Sequence, residues 1–154
     1  PVFGPAMVRA YEIESQEAVY PRIVIDDDAL EQHKLDPLLR SEDNSSAEEQ
    51  KLLRQLLAVG DDGTRYIDYL NAVGEFDDPS AHLGFLQTHA QLIRTGRLEN
   101  LNRSVRRKYE WLAVYHNKQI EGMRKVILSS DDRMRAFYEE YEVEAESFLD
   151  EITV

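Results

Sequence analysis

Cysteine is absent from this sequence, so neither disulfides nor thiolate metal sites can form, and nothing marks an oxidising compartment. Long apolar runs are also absent, so no membrane-spanning helix is predicted. The first residues lack a basic region followed by an apolar stretch, which is the pattern of a secretory leader. From these absences we expect a cytoplasmic protein without a membrane partner.

Positive charge is scarce. The chain has 18 Lys and Arg residues against 30 Asp and Glu residues, a formal net charge of −12. This surplus repels phosphate backbones, so no nucleic-acid partner is expected. One basic cluster is the exception, and we expect a solvated helix junction there, with an acidic partner or nucleotide phosphates as alternatives. It contains Arg94, Arg97, Arg103, Arg106, Arg107 and Lys108.

The chain has 154 residues, of which 42% are hydrophobic, enough to bury a core. Its first part mixes helical and extended patterns. A helix is predicted over Ala6 to Tyr20, because Pro5 favours the first helical position and Tyr20 precedes another Pro. The β-branched run Arg22 to Ile25 predicts a buried strand. Asp28 is expected to cap a short helix from Ala29 to Lys34.

A polar stretch and a turn come next. The segment Arg40 to Gln50 lacks periodicity and predicts an exposed, disordered excursion. Beyond it, Asp61-Asp62-Gly63 has the composition of a hairpin turn between two apolar stretches. The first stretch also satisfies the helical period, but we favour two strands. The leucines that fit both patterns are Leu52, Leu53, Leu56 and Leu57.

Residues 75–154 show three helical patterns and no strand candidate. Asp78 and Pro79 supply the cap and first turn of the first helix, and Gly96 is expected to end it. The sequence therefore predicts an α+β fold, with residues 1–74 as one domain and 75–154 as a C-terminal helical bundle of three helices. The apolar faces repeat at spacings of three and four residues: Leu83, Leu86, Ala90 and Ile93; Val105, Tyr109, Leu112, Ile120, Met123 and Ile127; Met134, Phe137, Tyr141, Ala145, Phe148 and Ile152. The third helix is expected to be capped near Ser130 or Asp131.

Two groups of side chains suggest a metal site, but neither has the spacing of one. Asp26-Asp27-Asp28 leaves a predicted strand with side chains alternating in direction, so a solvated acidic turn is favoured over a Mg²⁺ or Ca²⁺ site. The second group is His82, His89 and His116. His82 and His89 stand two helical turns apart, and no helical pair among the three has the spacing of four residues that helical zinc sites use. We therefore predict no metal ligands in this chain, and expect surface or hydrogen-bonded histidines.

The string GPAMVRAYEIES, followed by YPRIVID, resembles the fourth helix and following strand of the class III nucleotide cyclase catalytic domain. Gly4, Ala10 and Glu14 stand at positions that match that helix. With DDGTRYIDYL and KYEWLAVYHN included, the sequence is most similar to the pyrimidine cyclases of bacterial Pycsar antiphage systems. The similarity extends from Val2 to about Asn117.

This resemblance implies that residues 1–74 are the C-terminal half of a cyclase-type α/β catalytic domain. Such enzymes form homodimers and convert a nucleoside triphosphate, here UTP or CTP, into a 3′,5′-cyclic mononucleotide and pyrophosphate. The product, cyclic UMP or cyclic CMP, would act as a second messenger in antiphage defence. The Mg²⁺ or Mn²⁺ ligands would lie in a missing N-terminal half of the same domain, so this chain alone is expected to be inactive.

The resemblance also assigns residues. Arg9 is the candidate catalytic cation, with a solvated helix residue as the alternative. Phe3, Gly4 and Pro5 are the candidate substrate-binding residues. Glu14 is expected to be structural, because an unpaired carboxylate on an apolar helix face is costly.

Two positions depart from the family pattern. Val8 and Glu12 stand where the family has an Asn and an Arg one turn apart. This departure favours an alternative function, a catalytically inactive dimerisation or ligand-sensing module. A third interpretation, a helical adaptor, leaves the N-terminal strand with no sheet to join.

Overall fold

The computed structural model describes residues 4–39, 41–72, 79–99, 102–128, 136 and 145–154. The chain divides into two units, Pro1–Ala72 and Val73–Val154. Most described residues are helical, and a small antiparallel sheet lies in the first unit. The following residues named in the predictions lie outside the described residues: Phe3, Asp78, Ser130, Asp131, Met134, Phe137 and Tyr141.

No helix among the residues that the structure describes is both long enough and apolar enough to cross a membrane.

The first unit begins with two helices. Helix α1 (Pro5–Glu12) has Pro at its first turn and continues directly into a π-helical turn, Ile13–Glu17. Helix α2 (Asp27–Leu35) is capped by the Asp26 carboxylate, which accepts a hydrogen bond from the Asp28 N–H. The predicted cap at Asp28 is thus displaced by two residues. A short 3₁₀ turn, Pro37–Leu39, follows.

The third helix lies where an exposed excursion and a strand were predicted, so it contradicts both predictions in part. Helix α3 (Ser46–Leu56) occupies part of the predicted excursion and most of the predicted first strand. Ser45 and Glu48 form a reciprocal capping box at its start, which satisfies two backbone N–H groups. The preference for strands was wrong up to Leu56, because this cap and the helical leucine spacing act together.

The hairpin prediction is confirmed over a shorter length. Strands β1 (Leu57–Val59) and β2 (Arg65–Ile67) pair antiparallel, with Ala58 opposite Tyr66. Gly63 in the connecting turn has φ of 79°, a conformation that favours glycine. A four-residue helix, α4 (Tyr69–Ala72), follows β2.

The predicted strand Arg22 to Ile25 is reduced to one bridge, between Val24 and Tyr66. The Ile25 N–H donates to the Arg65 carbonyl, and the Ile67 N–H donates to the Ile23 carbonyl, each at 2.9 Å. This segment therefore lies against β2, on the side opposite β1.

The second unit contains helices α5 (Pro79–Leu98), α6 (Arg103–Leu128) and α7 (Ala145–Ile152). The prediction that Gly96 ends α5 was wrong. Gly96 lies inside the helix, against Tyr109. A Cβ atom at position 96 would overlap the Tyr109 ring, so glycine permits the close approach of α5 and α6. The core of this unit includes Leu83, Leu86, Ala90, Ile93, Ala113, Tyr115, Ile120, Phe148, Leu149 and Ile152.

Candidate functional site

An open groove lies between α1, the segment Ile23–Ile25 and the start of α2. Its volume is about 460 Å³, within the range of small-molecule sites. Four charged side chains reach it, namely Arg9, Glu14, Arg22 and Asp26. We call this groove, with its charged and apolar lining, the α1 groove. Its apolar lining consists of Ala6, Ala10, Ile13, Ala18, Ile23, Val24, Ile25 and Ala29.

Arg9 stands at one side of the α1 groove and is held by two carboxylates. Its Nε lies 3.1 Å from Asp26 Oδ2, and its Nη1 lies 2.9 Å from Glu17 Oε1. The hydrogen bond to Asp26 is the main cause that raises the pKa of Arg9, and the same bond lowers the pKa of Asp26. Because the π-helical turn carries Glu17 and the cap of α2 carries Asp26, these local structures fix the charge of Arg9 in place.

Arg22 is a second cation at the groove, and its side chain is only 1% exposed. The guanidinium lies between the Tyr20 and Tyr66 rings, 5.5 and 5.6 Å from their centroids, a geometry that supports cation–π attraction. Both of its terminal nitrogens donate to Asp62. This hydrogen bonding lowers the pKa of Asp62 to about 2.

The Nε of Arg22 is buried and has no hydrogen-bond partner among the described residues. Such a buried donor is costly when it stays unsatisfied. Arg22 lines the α1 groove, so one wall of the groove contains a buried donor whose hydrogen bonding the described residues do not complete.

A smaller depression of about 350 Å³ shares Arg9 and Asp26 with the groove. Asp27 on its rim pairs with Arg65, with 2.6 Å between Asp27 Oδ1 and Arg65 Nη1. The three consecutive aspartates thus act separately, and Asp28 is exposed. No group of three or more His, Cys, Asp or Glu side chains among the described residues could hold a metal ion.

The structure brings only some of the predicted site residues together. Gly4 and Pro5 are exposed at the start of α1, and Phe3 lies outside the described residues. Glu14 is exposed, so the burial that motivated its structural role is not observed. Arg9 and Glu14 both line the α1 groove.

Sequence reasoning missed the group formed by Tyr20, Arg22, Tyr66 and Asp62. Arg22 and Asp62 are 40 residues apart, and nothing in the local pattern links them. The only sequence signal is Arg22 itself, a charged residue inside the apolar run YPRIVI. If such a side chain is buried, it needs a partner of opposite charge.

The predicted histidine environment is confirmed for His116, which is fully buried and hydrogen-bonded. Its Nδ1 lies 3.0 Å from His89 Nδ1, and its Nε2 lies 2.9 Å from the Ile152 carbonyl oxygen. These contacts tie α7 to α5 and α6.

Comparison of this chain with protein-family models, with curated proteins and with solved structures finds no match.

Proposed function

We propose that the first unit is part of a nucleotide cyclase domain, which converts UTP or CTP into the 3′,5′-cyclic mononucleotide and pyrophosphate for antiphage signalling. The proposal includes a homodimer and a complementary segment that carries the metal ligands. It rests on the sequence pattern of α1 and the following strand. The structural observation that supports it is the exposed apolar surface of α1 and of the segment after it.

Large apolar side chains of α1 and of the segment after it lie exposed. Tyr11 is 69% exposed, Val8 is 59% exposed and Ile23 is 58% exposed. A monomeric domain usually buries most such surface, and contiguous exposed apolar surface marks an interaction site. Of these three side chains only Ile23 lines the α1 groove, so exposed apolar surface is found on α1 outside the groove as well as in the groove, and a further segment would cover it.

The edge of the small sheet gives the same indication. Ile23 and Ile25 direct their hydrogen bonds to β2, whereas no backbone hydrogen bond of Val24 is found within the described part of the chain. In an antiparallel pair, alternate residues present their N–H and C=O groups to opposite sides. Val24 therefore offers a free strand edge beside the groove, which a strand of the complementary segment would occupy.

In the proposed reaction, the ribose 3′-oxygen attacks the α-phosphorus and its proton passes to solvent water. The bond from the α-phosphorus to the bridging oxygen breaks, and pyrophosphate leaves with that electron pair. Arg9 would stabilise the negative charge that develops on the phosphate oxygens. Because Asp26 and Glu17 hold Arg9 in this structure, the nucleotide would have to compete with these carboxylates for the guanidinium.

The test uses the native protein that carries this chain, with every polypeptide that copurifies. Each of the four nucleoside triphosphates is supplied with Mn²⁺, and cyclic products are identified by mass spectrometry. We expect cyclic UMP or cyclic CMP, and a decrease in kcat of about 10²-fold for Arg9→Gln. Arg54→Gln on α3 is the matched control and should retain activity. Absence of every cyclic nucleotide would contradict the proposal.

A second candidate function is a catalytically inactive, ligand-sensing module. It is favoured by Val8 and Glu12 at the positions of the family's Asn and Arg, both exposed on α1. In that case, the same preparation should bind a nucleoside triphosphate in equilibrium dialysis and release it unchanged. Turnover in the first assay would exclude this candidate.

A further inference from the structure

The end of the α5–α6 hairpin concentrates positive charge. Residues 94–108 contain six basic residues and one acidic residue, a formal charge of +5 within a chain of −12. Arg94 donates to the carbonyls of Glu151 and Thr153, so it anchors the C-terminal residues. The remaining five basic side chains are exposed. We call them the basic tip: Arg97, Arg103, Arg106, Arg107 and Lys108.

The close contact between Gly96 and Tyr109 positions this tip. Arg97 directly follows Gly96 in the last turn of α5, and Arg106 lies about one helical turn before Tyr109 in α6. The contact therefore holds basic side chains from the two helices at one end of the hairpin.

The charges of the basic tip are placed unfavourably for the helix itself. Arg103, Arg106 and Arg107 lie in the first turns of α6, where the helix dipole disfavours cations. Arg103 lies three residues before Arg106 and four residues before Arg107, and like charges at these helical spacings repel. No carboxylate of the described residues lies within 4.0 Å of any side chain in the tip. A surface that retains such a cost is expected where it serves binding.

The shape of the tip favours a broad partner over a small ligand. Among the described residues, the depression at the tip is lined by Arg103, Arg106, Arg107 and Glu110, and all four are exposed. A small molecule would remain largely in solvent there, whereas bound small molecules are usually mostly enclosed.

Aromatic side chains near the tip are engaged elsewhere. Tyr109 packs on Gly96, and Trp111 stacks on Tyr115 with 5.1 Å between ring centroids. Surfaces for single-stranded nucleic acid combine basic grooves with aromatic faces for the bases, and the described residues of the tip provide none. Glu110 also interrupts the arginine row and would repel a phosphate chain that followed the helix.

We propose that the basic tip docks an Asp- and Glu-rich segment of another protein through its arginine side chains. Guanidinium groups bind carboxylates with two parallel hydrogen bonds, and four of the five cations are arginines. This inference is independent of the cyclase proposal, because the tip lies entirely in the second unit.

The experiment measures fluorescence anisotropy of a labelled short oligoglutamate mixed with the full chain. An oligouridylate of equal charge and inorganic pyrophosphate serve as competitors. We expect the oligoglutamate to bind and the affinity to fall as salt increases. The triple variant R103Q/R106Q/R107Q should weaken binding about tenfold. Lys118→Gln, on the exposed part of the same helix, should change the affinity by less than about twofold.

Thermal unfolding separates docking from a structural role. Because the triple variant removes repulsion at the start of α6, its midpoint temperature should stay equal or rise while binding is lost. A lower midpoint would overturn the proposal, as would unchanged affinity in the triple variant. Tighter binding of oligouridylate would replace the protein partner with a nucleic acid, and stronger competition by pyrophosphate would replace it with a free phosphate ligand.

Discussion

The two units bury different kinds of side chain. The second unit buries apolar side chains from three helices, and His116 is its only buried polar residue among those described. The first unit buries fewer residues, and Arg22 and Glu49 are two of them. Its large apolar side chains are more often exposed: Met7, Val8, Tyr11, Val19, Ile23, Leu35, Leu38, Leu39, Leu52, Leu56 and Val59, against Phe85, Leu92, Leu98 and Val114 in the second unit.

This difference shows how each unit is stabilised. Apolar helix faces that meet each other supply most of the packing energy in the second unit. In the first unit, helices α1 to α3 and the short sheet are connected by ion pairs, such as Arg9 with Asp26 and Arg22 with Asp62. A unit that depends on such pairs and leaves apolar surface open is the one expected to require a further segment.

The largest effect is expected from Leu86→Ala in α5. Leu86 is 1% exposed, and truncation of a buried Leu costs about 3 kcal/mol through lost transfer energy and the remaining cavity. Urea unfolding monitored by Trp111, the only tryptophan, measures the effect in the second unit. Leu92→Ala in the same helix is the control, because Leu92 is 60% exposed. Equal losses in both variants would contradict the proposed core.

An intermediate effect is expected from pH. Burial lowers the pKa of His89 to about 4 and also lowers the pKa of His116, whereas an unfolded His titrates at about 6.5. Arg94 adds repulsion against a charged His116. Below about pH 6.5 the unfolded state therefore binds more protons, so stability decreases as pH falls toward 4.

The contribution of His89 to the unfolding free energy of the second unit should decrease by about 2 kcal/mol between about pH 7.5 and pH 5. Trp111 fluorescence during urea unfolding again provides the measurement. His89→Gln should remove this contribution and leave those of His116 and His82, whose pKa values burial also lowers, whereas His33→Gln in the first unit should leave the whole dependence intact. An unchanged slope in His89→Gln would exclude His89 as a source of the pH dependence.

The smallest effect is expected from Asp62→Asn in the first unit. The change leaves the buried Arg22 without its carboxylate, but Asp62 is 44% exposed, so solvent screening reduces the loss to about 1 kcal/mol. Hydrogen exchange of β2, followed by mass spectrometry, should become faster. The same bond keeps the folded pKa of Asp62 low at about 2, so its contribution is present above about pH 4 and disappears as pH falls toward 2.

The control for this last experiment is Asp61→Asn, because Asp61 is exposed beside Asp62. If both variants exchange β2 equally fast, then the Arg22 pair does not stabilise the sheet. If only Asp62→Asn makes the exchange of β2 faster, then the ion pair of Arg22 stabilises the first unit, whereas apolar packing stabilises the second.

The amino-acid sequence alone determined the helices of the second unit where they are described, because spacings of three and four apolar residues specify one buried face. It also located the hairpin, because Asp61-Asp62-Gly63 has turn chemistry that requires no distant partner. The leucine pattern alone did not predict α3, because the leucines fit both a helix and a strand. The capping box that begins at Ser45 favours the helix.

Only the tertiary structure showed which distant side chains meet. The pairs Arg22 with Asp62 and His89 with His116 join residues 40 and 27 positions apart, and no local periodicity encodes such contacts. The same holds for the α1 groove, whose walls come from α1, the Val24 segment and α2. A contact between separate segments depends on how their faces pack, whereas a helix or a turn depends mainly on its neighbours in sequence.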